Sequence, residues 1–138
     1  GGIIMPLFLD EDYDALKERG VLFVEEEAQR FFVIQGYKLS DSVYKQDCCD
    51  VLIVIPSNYP QAGNDMFWTN PRLVRADGKA IPQTNEPGGG DNRIFQGKEF
   101  CRWSRHWNPG SSVWRPGKDN IVTILRRIDW ALRRPNAQ

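Results

Sequence analysis

The sequence predicts an α+β domain in which helices pack on an antiparallel meander of short strands, and three observations carry that reading. From Asp119 onward, Ile121, Ile124, Leu125, Ile128 and Leu132 recur at the spacing of one helix face, with Arg126, Arg127, Arg133 and Arg134 mostly opposite. Before it, short runs rich in β-branched and aromatic residues alternate with turn signals. A third segment, Asp10 to Arg19 before Gly20, starts with acids and ends with bases, which suits the two ends of a helix dipole.

Taken in order, the first helix covers residues 10–19 and turns Tyr13, Leu16 and Phe8 inward. Ten residues hold a helix only with tertiary support. Val21 to Val24 begins the sheet. Arg30 to Leu39 is a second strand, broken at Ser40-Asp41-Ser42. Asp50 to Ile55 is apolar almost throughout, the mark of a strand covered on both faces, and Pro56 ends it. In Pro56-Ser57-Asn58-Tyr59-Pro60 neither proline can donate to a ladder, so a turn follows. Pro71 to Ala76 alternates as a fourth strand, and Asp77-Gly78 turns the chain after it. Residues 79–90 are proline, glycine and polar residues, loosest at Gly88-Gly89-Gly90. Pro116-Gly117 bars an earlier start to the last helix, and Pro135 ends it.

With 138 residues, one domain is expected. Lysine plus arginine equals aspartate plus glutamate at 18 each, so no overall field draws in nucleic acid or an anionic membrane. Acids crowd the front and arginines the back, which leaves room for a basic face. Three cysteines, two of them adjacent at Cys48 and Cys49, form neither a paired disulfide framework nor a zinc spacing, and a reducing, cytoplasmic setting is expected. No apolar run is long enough to span a bilayer. No metal or other cofactor is expected, because one histidine and scattered cysteines offer no standard ligand set.

Chemistry concentrates between Asp91 and Pro116. That stretch holds Cys101, the single histidine His106, Ser104, four arginines and three of the five tryptophans, and its sparse helix and strand signals suggest a functional loop. Cys101 is the candidate nucleophile, with Arg102, Arg105 and His106 near enough in sequence to favour a thiolate. The alternative is a small buried side chain behind Phe100. His106 suits an orienting or proton-transfer role, or a structural bond within the loop. Ser104 is a lesser candidate nucleophile. The interleaved arginines and tryptophans from Arg102 to Trp107 also suit base stacking on single-stranded nucleic acid, which zero net charge disfavours. Cys48 and Cys49 are expected to pack only.

The order of these signals resembles the ubiquitin-conjugating enzyme superfamily: helix, four-stranded meander, Tyr59-Pro60 turn, a loop with Cys101, Trp114-Arg115-Pro116, long helix. The fragments IPSNYP, DMFWTNP, RWSRHW and WRPGKDN are similar to a bacterial branch found beside ubiquitin-like, activating-enzyme and isopeptidase partners. The resemblance implies a single ubiquitin-conjugating-enzyme-like domain over residues 7–135. It also implies a cysteine carrier that accepts the C-terminal glycine of a ubiquitin-like protein from an activating enzyme and passes it to an amine of a target protein, with neither nucleic acid nor membrane as partner. Asn92 then corresponds to an asparagine that stabilises the oxyanion, although the usual His-Pro-Asn is absent; His106 or a backbone donor is the other possibility. Trp103 and Trp107 would wall the groove for the glycine tail, with Arg102 and Arg105 beside it. A serine oxyester at Ser104, or a non-catalytic module that only binds these partners, are the alternatives.

Overall fold

The computed structural model describes residues 6–107 and 113–137. Two helices and six strands follow the order α1 (Asp10–Glu18), β1 (Phe23–Glu26), β2 (Phe31–Lys38), β3 (Cys48–Val54), β4 (Phe67–Asn70), β5 (Arg93–Phe95), β6 (Lys98–Trp103) and α2 (Ile121–Arg133). The strands form one antiparallel sheet in the order β1-β2-β3-β4-β6-β5. The class is α+β, as the periodicities indicate.

Two parts of the expected topology are corrected. Residues 71–76 hold only one isolated bridge, Tyr44 to Arg75, and the fourth strand lies earlier, at Phe67–Asn70. Pro71 stops the ladder there, because it has no N–H to donate. The supposed loop after Asp91 contains a hairpin instead. Gln96 and Gly97 join β5 to β6 with φ of 51° and 75°, the left-handed pair that a two-residue hairpin turn needs.

Strand alternation builds two apolar layers. Phe32, Ile34, Val51, Ile53, Phe67 and Trp103 face the helices and join Leu16, Ile121, Ile124 and Ile128 in the main core. Phe31, Val33, Leu52, Trp68 and Phe100 point the other way, where the sheet curls so that Phe95 meets Phe31 at 6.4 Å. This is why β3 is apolar almost throughout. Phe67 stacks on Trp103 at 5.2 Å between adjacent strands, and burying an aromatic of that size contributes roughly 1.5–3 kcal/mol.

Long-range polar contacts fix the helices. Asp12, buried in α1, accepts the backbone N–H of Ile121 at 3.1 Å, the hydroxyl of Tyr59 at 2.9 Å and the N–H of Leu9 at 3.0 Å. Asn120 caps α2 through Val122 N–H, and Thr123 returns a bond to Asn120 N–H. The Tyr59-Pro60 turn receives Trp114, whose indole N–H donates to Pro60 O at 2.8 Å. Gly63 is required beside it, since a Cβ there would lie 2.2 Å from the indole ring.

Candidate active site around Cys101

Cys101 lies inside β6, opposite Thr69 of β4, and is 2 % exposed. Its placement in a strand, rather than in a loop, follows from the Gln96-Gly97 turn, which starts β6 three residues earlier. Glu99, Cys101 and Trp103 share one face at the period of two, and Phe100 and Arg102 share the other. Thr69 is fully buried, and its hydroxyl has no hydrogen-bond partner among the described residues.

Asn92 comes down on the same face. Its Nδ2 lies 3.9 Å from Cys101 Sγ, donates to Glu99 Oε2 at 3.0 Å and to Glu86 O at 2.9 Å, while its Oδ1 accepts Arg102 N–H at 3.1 Å. The sequence spacing from Asn92 to Cys101 thus becomes a contact across a hairpin. Glu99 also accepts Gly88 N–H at 2.8 Å, so its carboxylate pins the glycine-rich stretch beside the thiol. These two donors hold the Glu99 carboxyl below its usual range.

The thiol is not activated by arginines. Burial pushes its pKa above the ordinary value, the Glu99 carboxylate adds to that, and Arg72 partly opposes it. The expected thiolate-favouring cations point elsewhere. Arg102, on the opposite face, pairs with Asp91 at 3.3 Å. Arg105 is 1 % exposed, lies over the Trp103 ring at 4.9 Å and donates to the carbonyls of Pro82, Ser104 and Pro135. Burial works against its charge.

His106 is exposed beyond the end of the β4–β6 ladder, its Nδ1 within 3.0 Å of both oxygens of Asp65. It is separated from the thiol by the Phe67–Trp103 pair. Ser104 is half-buried, and its backbone N–H donates to Gln83 O. Trp103 is 1 % exposed and Trp107 9 % exposed. Both therefore serve the core, and neither walls an open groove beside Cys101. Cys48 is exposed and Cys49 buried, with burial pushing the Cys49 thiol up to about 12. No group of histidine, cysteine and acidic side chains among the described residues is placed to hold a metal ion. No described helix is long and apolar enough to cross a membrane.

The structure thus unites Cys101 with Asn92, to which Arg102 contributes only its backbone N–H, and leaves His106, Ser104, Arg105 and the Arg102 side chain outside that cluster. Sequence reasoning missed Glu99, Thr69 and Asp65. The signal for Glu99 was its position two residues before Cys101 on a strand; Thr69 and Asp65 required the register between β4 and β6.

No curated protein and no solved structure matches the chain. One family profile does match, over residues 8–135, which takes in both helices, the whole sheet and the Asn92–Cys101 cluster. That match shows the chain to be a member of prokaryotic E2 family E, which implies a conjugating, transferase-type role toward ubiquitin-like proteins and activating enzymes.

Proposed function

We propose that the protein carries the C-terminal glycine of a ubiquitin-like protein as a thioester on Cys101 and delivers it to an amine of a target protein, in a bacterial ubiquitination-like pathway. The observation that carries this reading is the Asn92 carboxamide resting 3.9 Å from Cys101 Sγ on the inner face of the β5–β6 hairpin. In charging, the Cys101 thiol loses its proton and its sulfur attacks the acyl carbon of the activating enzyme's thioester. A new C–S bond forms, the old one breaks, and the activating enzyme's sulfur leaves as thiolate. In discharge, the amine attacks the same carbon and gives up a proton, an amide bond forms, and Cys101 departs as thiolate and is reprotonated.

The bonds exchanged in charging are nearly alike in energy, so alignment and stabilisation of the developing oxyanion are what the protein supplies. Asn92 Nδ2 gives its two hydrogens to Glu86 O and Glu99 as the cluster stands, so it serves the oxyanion once the Glu86 bond is released; Thr69, whose hydroxyl has no partner among the described residues, is the residue opposite Cys101 on β4. A thiol kept neutral by burial resists indiscriminate alkylation and also requires its cover to open before a peptide tail reaches it. Glu86 and Gly88, held by Asn92 and Glu99, belong to that cover. The same burial favours a second reading, a binding module that keeps the fold and never charges.

Incubation with activating enzyme, ubiquitin-like protein and ATP separates the two. The expected result is a thiol-sensitive conjugate on non-reducing gels, absent from Cys101→Ala. A conjugate that survives Cys101→Ala, resists thiol and is lost on adding Ser104→Ala would move the acyl group to the serine. Binding of the same partners without any conjugate would establish the non-catalytic reading.

A further inference from the structure

The outer face of α2 is unused by the chemistry above. Arg126 and Trp130 sit at i and i+4 on α2, exposed and away from the core, and Arg134 follows as the residue that caps the helix. Trp130 is 42 % exposed, with the Arg134 guanidinium 5.0 Å above its ring. An exposed tryptophan flanked by arginines is the combination that dominates protein contact surfaces.

Two clefts flank this row, and Arg126 and Trp130 border both. The larger, about 520 Å³, has an apolar floor of Val21, Ile34, Val122 and Leu125 and a charged rim that includes Arg19, Arg133 and Asp129. The smaller, about 400 Å³, brings Arg115, Arg126 and Arg127 together with Trp107. Arg127 lies 5.8 Å from the Trp107 ring and 5.7 Å from the Trp114 ring; burial lowers its pKa, opposed by the nearby Asp119 carboxylate and aided by Arg115. Among the described residues Asp119 is the one acid lining that cleft, and its oxygens already accept Arg115 N–H, the Arg115 guanidinium and the Thr123 hydroxyl. The Trp107 indole N–H is sealed from solvent and has no acceptor among the described residues. Three guanidiniums lining one open cleft favour an anionic oxygen.

We propose that this face docks an acidic peptide segment of a partner protein that also carries apolar side chains. One carboxylate of the segment enters the arginine cleft and accepts from the exposed Arg126 guanidinium. A neighbouring apolar side chain crosses Trp130 into the groove of Val21, Ile34 and Leu125. The pairing of a charged cleft with an apolar-floored one is what favours a peptide, because a nucleic acid backbone or a free anion would leave the larger groove unfilled. The inference stands apart from the chemistry at Cys101, and Trp130 and Arg126 have no part in that site.

The test uses the whole chain and a fluorescently labelled short peptide alternating glutamate and leucine, read by anisotropy at low salt. Saturable binding that weakens with added salt is expected, with losses on the order of tenfold for Arg126→Glu and for Trp130→Ala. Both side chains are exposed, so circular dichroism should report an unchanged fold. Replacing glutamate by glutamine, or leucine by serine, in the peptide should each weaken binding as much. Absence of binding at low salt, equal binding of the glutamine peptide, or undiminished binding by both variants would overturn the proposal. So would tighter binding of oligothymidine or phosphatidylserine vesicles than of the peptide.

Discussion

The two ends of the β4–β6 ladder each carry a polar cluster, and they are built on opposite plans. At the Cys101 end, the thiol is sealed, held neutral by burial, and watched over by Asn92 and Glu99, whose bonds run into the glycine-rich stretch. At the other end, His106 and Asp65 meet in the open, at 57 % and 42 % side-chain exposure. Four residues separate the cysteine from the histidine in sequence, yet the Phe67–Trp103 stack lies between them and nothing links their chemistry. Nearness along a strand therefore says less about shared function than facing and register do.

If the sealed end is the reactive one, the largest effect belongs to Asn92→Ala, which should slow charging on the order of a hundredfold, the usual cost of losing one oxyanion donor. Single-turnover charging measures it. Because Asn92 also holds the cover, the same variant should alkylate faster at Cys101; slower alkylation would contradict the cover's role. Just past the Phe67–Trp103 end sits Arg105. Arg105→Ala removes three bonds to carbonyls and the contact over Trp103, and is expected to cost about 2–4 kcal/mol in urea unfolding. Arg105→Met, which keeps the volume and removes a desolvated charge, should cost less.

A smaller effect concerns pH. Since Cys101 has its pKa raised in the folded protein, less of it is thiolate at any pH below that value than of an ordinary thiol. Mass spectrometry at pH 8 should find Cys101 alkylated at least about tenfold more slowly than exposed Cys48, with its rate still rising above pH 9. The sign for stability is the same for buried Cys49, raised to about 12: its contribution is complete below pH 9 and lost as pH climbs from 9 to 12. Smallest of all, His106→Asn should leave charging within about twofold and stability within about 1 kcal/mol, the worth of an exposed pair. A large loss of charging in that variant would erase the contrast between the two ends.

Both helices were legible because each carries a physical boundary signal: Gly20 after α1, Pro116-Gly117 and Pro135 around α2. So were β2 and β3, whose β-branched runs exceed what a loop tolerates. β4 was misplaced by a few residues because Phe67-Trp68 offers too short a run to show a period, whereas Pro71 to Ala76 alternates without pairing. The β5–β6 hairpin was hidden by charge, since Arg93, Lys98, Glu99 and Arg102 dilute its apolar positions although Gln96-Gly97 supplies the turn. Of the candidate site, the Asn92–Cys101 spacing could be seen in the sequence. The direction of each arginine could not, because it depends on whether β6 turns that position toward the helices or away.

Asp12 has a consequence of a different kind. One carboxylate group spans the start of α2, the Tyr59 ring and the entry to α1, so peeling α1 from the body strips the first donor of α2 of its acceptor at the same moment. The two helices, separated by a hundred residues of chain, should open as a single cooperative unit in native-state hydrogen exchange, and a partner that grips one of them thereby stiffens the other.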